Sequence, residues 1–432
     1  MSLPQTFLAC LKRFYTVIII SLVCVYSYAQ APYDVTIEHA KQTGMSTAKL
    51  HQISPAVKKL IDAQKLAGAV VVVANKGKVV YRGSFGWADV EGQQPMRMDT
   101  VFRIYSMTKP ITSIAVLMLH ERGLLDIDAP VSAYIPEFEN LKVYSGENDN
   151  KDLILQDMQR QVTITDLLRH TSGLTYDFLD QSPVGEMYAE KGIANAKDLR
   201  GLIAKLKGIP LVSQPGEKFT YGVSTDVLGF LIEKVSGMPL QDFLQKEIFT
   251  PLRMTETGFR VPESANARFA KVYDWEGEGI VASSDPRIVG DFHAMPTMFS
   301  GGGGLISTAD DYLNFCLMLL NKGKFDGTRI VAGKTVREMT KNQLPESAYP
   351  ISLLGKQDGV GFGLGVSVVT EITDFCNTAR VGEFGWDGIA STHFWISPKD
   401  DLIVIALSQN WPFSHQLRDV LRPIVYGALS PE

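Results

Sequence analysis

The stretch FRIYSMTKPITS, residues 102–113, places a serine and a lysine three positions apart at the start of a long apolar run. These residues are Ser106 and Lys109, and positions three apart lie on one face of a helix. A serine hydroxyl becomes a strong nucleophile when a base takes its proton, and burial can lower the pKa of a lysine enough for that role. The N-terminus of the helix also offers backbone N–H groups to a developing oxyanion. The stretch therefore predicts either a catalytic pair or two ordinary polar residues at a helix start.

Local sequence alone does not separate these two roles. A second Ser-x-x-Lys, formed by Ser46 and Lys49, precedes a helix of polar, surface type, and we interpret Ser46 as a helix cap. Ser106 instead precedes ITSIAVLMLHERG, which is apolar nearly all round and predicts a buried central helix. Other motifs are incomplete, because HERGL lacks the second histidine of a zinc site and GGGG lacks the Lys-Ser/Thr of a phosphate loop. Both roles stay open for Ser106 at this point.

Strand-like runs occur towards both ends of the chain. AGAVVVVANKGKVVYRGSFGWAD, residues 67–89, contains two β-branched runs around a turn at 75–78 and predicts a hairpin. The late runs GFGLGVSVVT, ARVGEFGWDG, STHFWISP and LIVIALSQN are separated by gaps too short for crossover helices, so neighbouring strands should be antiparallel. We predict an α+β fold in which an antiparallel β-sheet flanked by helices is formed by residues of about 46–124 and 297–432. A mainly helical insertion of about 125–296 separates the two sheet regions.

The first 29 residues have the composition of a secretory signal peptide. Lys12 and Arg13 precede an apolar run, and Ser27-Tyr28-Ala29 fits a small-x-small cleavage site. The apolar run is shorter than the ~20 residues of a spanning helix. We therefore predict cleavage, a mature domain of residues 30–432 and an exported protein, periplasmic or secreted, without stable membrane insertion. An uncleaved signal that anchors the chain in the membrane is the alternative.

Composition narrows the classes of partner. The chain has 432 residues and a net charge of −5, whereas nucleic acids and anionic lipids select basic surfaces. After cleavage only Cys316 and Cys376 remain, too few for a disulfide framework or a cysteine metal site. We interpret them as a core cysteine and an unrelated loop cysteine, although an exported protein could pair them. No metal or organic cofactor is implied, and the oligomeric state stays open.

Five motifs together carry a resemblance to a known family. YSMTK, HTSGL, PGEKFTYGVSTDVLGFLIEKVSG, GGGGLIST and GWDG occur in the order found in class C β-lactamase-like serine hydrolases. The chain resembles this family over about residues 45–429, and the superfamily also contains penicillin-binding proteins and the family VIII carboxylesterases. The resemblance implies a β-lactamase/transpeptidase-like fold. It also implies that Ser106 is the acylated nucleophile and that Lys109 is its partner.

The same resemblance assigns roles to residues far from Ser106 in the chain. Tyr221, in FTYGVS, stands at the family's Tyr-x-Asn motif and would relay the proton to the leaving group. Trp386-Asp387-Gly388 stands at the Lys-Thr-Gly motif of β-lactamases, which lies on an edge strand beside the nucleophile. The backbone N–H groups of Ser106 and Ile389 would then form the oxyanion hole. His170, in LLRHTSGL, is expected to be a structural residue at a helix end rather than a catalytic one.

Two departures from the β-lactamase pattern bear on the substrate. Val223 replaces the asparagine that contacts the substrate amide, and a site without this partner loses discrimination. Trp386 replaces the lysine that helps to bind the substrate carboxylate, and Asp387 beside it is expected to repel an anionic substrate. Trp386, Phe384 and Tyr105 are candidates for an apolar substrate wall. The predicted substrate-binding residues are Tyr105, Val223, Trp386, Asp387 and Gly388.

These departures favour the family VIII esterases within the superfamily. We predict an exported serine hydrolase that cleaves uncharged, small-molecule carboxylic esters through an acyl-enzyme on Ser106, with Lys109 and Tyr221 as proton-transfer groups. A β-lactamase or D-Ala-D-Ala peptidase, an amidase and an acyltransferase are the alternatives among enzymes. A non-catalytic binding protein on the same fold is the alternative from another class.

Overall fold

A computed structural model describes residues 31–275 and 279–429, and an antiparallel β-sheet built from the early and late parts of this range dominates it. The predicted signal peptide lies outside the described residues. Within them the sheet has nine strands, β1 (Tyr33–Thr36), β2 (Gly68–Asn75), β3 (Lys78–Asp89), β4 (Gln94–Pro95), β5 (Val360–Phe362), β6 (Ser367–Val369), β7 (Phe384–Gly388), β8 (Thr392–Ser397) and β9 (Leu402–Leu407). Their order is β1-β3-β2-β9-β8-β7-β6-β5, with β4 paired to β3. The predicted antiparallel sheet and the hairpin of β2 and β3 are confirmed.

Helices cover both faces of this sheet. Their bounds are α1 (Ala40–Thr43), α2 (Thr47–Leu50), α3 (Ile53–Asp62), α4 (Thr108–Glu121), α5 (Ile164–Leu168), α6 (Pro183–Glu190), α7 (Leu199–Leu206), α8 (Ser224–Ser236), α9 (Leu240–Leu244), α10 (Pro286–Val289), α11 (Ala309–Leu320), α12 (Gly333–Met339) and α13 (Gln416–Ala428). Ser46 caps α2 by accepting a hydrogen bond from the backbone N–H of Lys49, as predicted. Cys316 and Cys376 are both buried and are not joined by a disulfide.

Strand β2 contributes side chains to the hydrophobic cores on both faces of the sheet. Successive side chains of a strand point to opposite faces, so an unbroken apolar run predicts burial on both sides. Val71 and Val73 enter a core with α3 and α13, whereas Val70 and Val72 enter the larger core that contains α4 and α11. Helix α4 is buried at every position from Thr108 to Leu119, which confirms the prediction of a central helix.

Residues 125–296 contain helices α5 to α10 and two short β-ribbons. Lys142–Glu147 pairs with Leu153–Asp157, and Tyr273–Trp275 pairs with Ile280–Ala282 and, in parallel, with Asn410–Trp411. The remaining short pairs are Phe102–Arg103 with Ile306–Ser307, Lys324–Phe325 with Thr328–Arg329, and Ile351–Ser352 with Lys356–Gln357. The first of these pairs brings the glycine run 301–304 beside the segment that leads to Ser106. Among the described residues, no helix has the length and apolar character needed to cross a membrane.

Asp166, at the start of α5, is a carboxylate with 0% side-chain exposure. It accepts hydrogen bonds from Arg160 Nη2 at 2.9 Å, Arg169 Nη2 at 3.0 Å, Thr171 Oγ1 at 2.8 Å and the Thr163 N–H at 3.0 Å. Burial by itself raises the pKa of this carboxyl, but Arg160 and the other donors outweigh burial and lower the pKa to about 2. The charged form therefore holds the start of the insertion together.

We predict that Asp166→Asn lowers the free energy of unfolding by about 2 kcal/mol near neutral pH, because the amide cannot serve both arginines. A depressed folded-state pKa contributes stability above the unfolded value of 3.8, and this contribution is lost as the pH falls towards about 2. Urea unfolding of both proteins should therefore show a difference that shrinks to about half near pH 3. A difference that does not change with pH would contradict this account.

Candidate active site

Ser106 lies in a single helical turn, Tyr105–Met107, that runs directly into α4. Tyr105 has a φ of 42°, a left-handed conformation that strains a bulky residue by about 1–3 kcal/mol. The Tyr105 hydroxyl donates a hydrogen bond to the Ile288 carbonyl, which holds this conformation from the side of α10. Lys109 Nζ lies 3.2 Å from Ser106 Oγ, so the serine and lysine of the motif are in contact.

Lys109 is fully buried and is the centre of the site. Besides Ser106, its ammonium group donates to the Gly302 carbonyl at 2.7 Å and to the Tyr176 hydroxyl at 3.2 Å, and it lies 4.5 Å from the centroid of the Tyr221 ring. Burial lowers the pKa of Lys109, but Tyr176, Tyr221 and Asp226 outweigh burial, and the net shift is upward. The upward shift does not support the lowered pKa that a lysine base would need.

Tyr221 lies against Lys109 and Trp386. Trp386 Nε1 donates a hydrogen bond to the Tyr221 hydroxyl oxygen at 3.2 Å, and the two ring centroids are 5.5 Å apart. An indole N–H donates only, so the Tyr221 oxygen accepts this bond. Trp386 was predicted as a substrate wall, and the structure adds the role of hydrogen-bond donor to Tyr221.

Tyr176 is a site residue that sequence reasoning missed. Its hydroxyl contacts Lys109, and its ring is stacked with Phe178 and lies 5.7 Å from the ring of Tyr221. Burial raises the pKa of Tyr176, against the opposing effect of Lys109, so this phenol stays protonated. The available signal was its position, two residues after the HTSGL motif, but nothing in the sequence joins it to a lysine 67 residues earlier.

Strand β7 approaches the nucleophile at Gly388. A Cβ atom at Gly388 would lie 2.6 Å from the carbonyl oxygen of Ile104, so glycine is required where the strand passes the turn before Ser106. Strand β6 pairs with β7 only at Phe384 and Gly385, which leaves 386–388 with a free edge. The prediction of an edge strand for Trp386-Asp387-Gly388 was wrong, because β7 lies between β6 and β8 and the sheet edge is β5. Ile389, directly after the strand, lines the same cavity as Ser106.

Asp387 is paired with side chains from β8 and from the C-terminal part of the chain. Its carboxylate lies 2.7 Å from His393 Nδ1 and 3.6 Å from both His415 Nε2 and Arg418 Nη1. Burial raises the pKa of Asp387, but His393, His415 and Arg418 outweigh burial and hold it well below its usual range. The nearby Arg418 offsets part of this negative charge, and the expected repulsion of anionic substrates stays a prediction.

A cavity of about 950 Å³ opens beside Ser106. The volume fits a drug-sized ligand in a mostly apolar pocket. Its lining includes every predicted substrate-binding residue, further aromatic and aliphatic side chains, and charged side chains beside β7 and on α13: Tyr105, Ser106, Tyr176, Phe178, Tyr221, Val223, Met298, Leu354, Phe375, Glu383, Phe384, Trp386, Asp387, Gly388, Ile389, Arg418 and Arg422.

His170 is buried against Tyr221, with ring centroids 4.7 Å apart. Neither ring nitrogen has a hydrogen-bond partner among the described residues. Burial and the nearby Lys109 lower the pKa of His170 well below its usual value, so the ring is neutral. Its φ of 58° and its place just after α5 agree with a helix-end role.

Comparisons with known proteins place this geometry in context. The family model described as Beta-lactamase matches residues 53–425. Esterase EstB of Burkholderia gladioli is 36% identical over 390 residues, which cover 84% of this chain and 92% of that protein. Monacolin J acid methylbutanoyltransferase of Aspergillus terreus is 28% identical over 391 residues, covering 85% and 92%. The solved structure of EstCE1, a hydrolase with promiscuous acyltransferase activity, is 26% identical, covers 88% of this chain and 99% of that chain, and gives a TM-score of 0.74.

We predict that Trp386→Phe lowers the kcat of ester hydrolysis about 10-fold, because the ring remains but the donor to the Tyr221 oxygen is lost. Phe384→Leu, which changes the same wall without removing a donor, is the matched control and should change kcat by less than about threefold. Steady-state kinetics on p-nitrophenyl esters measures both variants. Equal effects of the two substitutions would show that Trp386 acts only as a wall.

Proposed function

This chain belongs to the Beta-lactamase family and is a serine hydrolase, and from that premise we propose that it cleaves carboxylic esters through an acyl-enzyme on Ser106. The contact that carries the proposal is the fully buried Lys109, which touches the Ser106 hydroxyl and lies over the ring of Tyr221. A purely structural lysine would not require a half-buried serine that lines a large cavity. The named relatives, an esterase and an acyltransferase, support ester chemistry.

The proposed reaction follows from these contacts. Ser106 Oγ attacks the ester carbonyl carbon, and the Tyr221 oxygen, which faces the Lys109 cation and the Trp386 N–H, acts as the general base that takes the serine proton. The oxyanion accepts hydrogen bonds from the backbone N–H groups of Ser106 and Ile389. When the C–O bond breaks, the leaving alcohol takes the proton from Tyr221. Water then attacks the acyl-enzyme by the same route, and the acid departs as Ser106 recovers its proton.

An uncharged ester fits this cavity better than a β-lactam or a peptide carboxylate. Trp386 stands where a β-lactamase has a lysine, and an anionic substrate there would lose a charge-assisted hydrogen bond of about 1.5–3 kcal/mol. Val223 is buried at the start of α8 and offers no amide to a substrate. Esterase activity of EstB, which covers most of this chain, points in the same direction.

We predict that Ser106→Ala abolishes p-nitrophenyl acetate turnover and labelling by a fluorophosphonate, because the acylated oxygen is absent. Ser46→Ala is the matched control, since it removes the serine of the other Ser-x-x-Lys motif, and it should keep full activity while losing about 1 kcal/mol of stability. Undiminished labelling of the Ser106 variant would overturn the proposal. Nitrocefin hydrolysis far above ester turnover would instead establish a β-lactamase.

We further propose that residues 1–29 direct export and are then removed, on the basis of the basic, apolar and small-residue regions of the N-terminus. Expression of the full chain in a bacterial host should yield a periplasmic or secreted protein. N-terminal sequencing of that protein is expected to begin at Gln30. Recovery of the intact N-terminus in the membrane fraction would support an uncleaved anchor instead.

A further inference from the structure

Strand β7 has two faces with different chemistry. Phe384 and Trp386 pack in the larger core on the catalytic side of the sheet, and Trp386 reaches Tyr221. Asp387 lies directly opposite His393 on β8 and turns to the other face. Glu383, just before the strand, shares that face and is only 2% exposed. Two largely buried carboxylates therefore stand behind the strand that carries the Tyr221 donor.

Helix α13 supplies one arginine to each carboxylate. Arg422 Nη2 lies 2.6 Å from Glu383 Oε1, and Arg418 Nη1 lies 3.6 Å from Asp387 Oδ2. The Tyr426 hydroxyl also donates to Glu383, so a third residue of α13 joins the contact. Both guanidinium groups are mostly buried, with 16% and 12% side-chain exposure. The charges of the two arginines and the two carboxylates cancel, which argues against a second site for an anionic substrate.

The second half of β7, residues 386–388, is paired with a neighbouring strand on one side only. Beyond Gly385 it pairs only with β8, because the β6 ladder ends there. Backbone that is paired on one side opens more readily than backbone inside a sheet. Asp387 lies in this half, between Trp386 and Gly388, so its contacts with α13 and β8 act at the point where the ladder is incomplete.

We propose that Arg418 and Arg422 are positioning residues for the reaction, and that they act by binding Asp387 and Glu383 behind β7. This inference rests on the proposed ester hydrolysis. These contacts on the α13 side of the sheet fix the position of the strand. The strand in turn keeps the Trp386 indole N–H in contact with the Tyr221 oxygen and the Ile389 N–H near Ser106. A displacement of about 1 Å in such groups can lower the rate on the order of 100-fold. Both arginines also line the cavity that contains Ser106, so the split between kcat and KM separates positioning from substrate binding.

Two variants of one residue test the inference. Arg418→Met keeps the aliphatic stem but removes the charge, and kcat on p-nitrophenyl acetate should fall about 10-fold or more while KM changes by less than about threefold. Arg418→Lys restores the charge and should recover most of the loss. Combination of Arg418→Met with Trp386→Phe should be less than additive, because both act on the same hydrogen bond.

Glu247→Gln is the matched control for these variants. Glu247 is a carboxylate of 17% exposure that pairs with Arg122 at the opposite end of α4 from Ser106. Removal of its charge should leave kcat within about twofold of the wild type. If Arg418→Met does not fold, Asp387→Asn preserves the side-chain shape and carries the same expected loss of kcat. A folded Arg418→Met or Asp387→Asn with wild-type kcat would overturn the inference.

A readout independent of activity separates this inference from the proposed function. The indole N–H resonance of Trp386, assigned with Trp386→Phe, should shift in Arg418→Met and should not move in Glu247→Gln. If the wild type lacks Ser106-dependent ester turnover but the resonance shifts, the proposed function fails and the positioning of β7 stands. If ester turnover is present but the resonance and kcat are both unchanged, the positioning inference alone fails.

Discussion

The structure is organised around one fully buried ammonium group. A buried charge is strongly unfavourable unless it is paired or hydrogen-bonded, so Lys109 requires partners from whatever surrounds it. Those partners come from the turn at Ser106, the loop at Tyr176, the start of α8 and the glycine run that follows residue 300. The helical insertion and the sheet are thereby joined at one atom.

The glycine run shows how this requirement reaches the backbone. Asp226, in the first turn of α8, accepts hydrogen bonds from Ser300 Oγ and from the Gly302 N–H. The Gly302 carbonyl is then directed at Lys109. A Cβ at Gly302 would lie 2.5 Å from Asp226 Oδ2, so only glycine permits the approach. GGGG is a close-packing element that completes the lysine site.

The opposite side of the cavity is formed by β7, which approaches Ser106 at Gly388. On its other face, this part of the chain forms ion pairs with α13. Because successive side chains of a strand alternate between its faces, Trp386 points towards Tyr221, whereas Asp387 and Glu383 point towards α13. Trp386 and Asp387 are thus neighbours in sequence but lie on opposite faces of one strand.

Local pattern was sufficient to predict the helix after Ser106, the hairpin and one helix cap. The apolar run after Ser106, the turn at 75–78 and the cap at Ser46 each depend on neighbours within a few positions, and each was predicted correctly. The family resemblance added the order of distant motifs, and with it Tyr221 and the strand at Gly388. The antiparallel sheet followed from short gaps between late strands.

Three features depended on contacts between distant residues, and the sequence could not show them. The pKa of Lys109 moves upward because two tyrosines and a carboxylate from elsewhere in the chain outweigh burial. Tyr176 joins the site because a loop folds back onto α4. The Asp387 carboxylate has partners because register with β8 places it opposite His393 and α13 brings Arg418 to it. Sequence determined which elements form and which serine precedes a buried helix, since these are local properties. Tertiary structure decided the direction of the pKa shift of Lys109, the presence of Tyr176 in the site and the partners of Asp387. These features depend on distances between groups that only folding brings together.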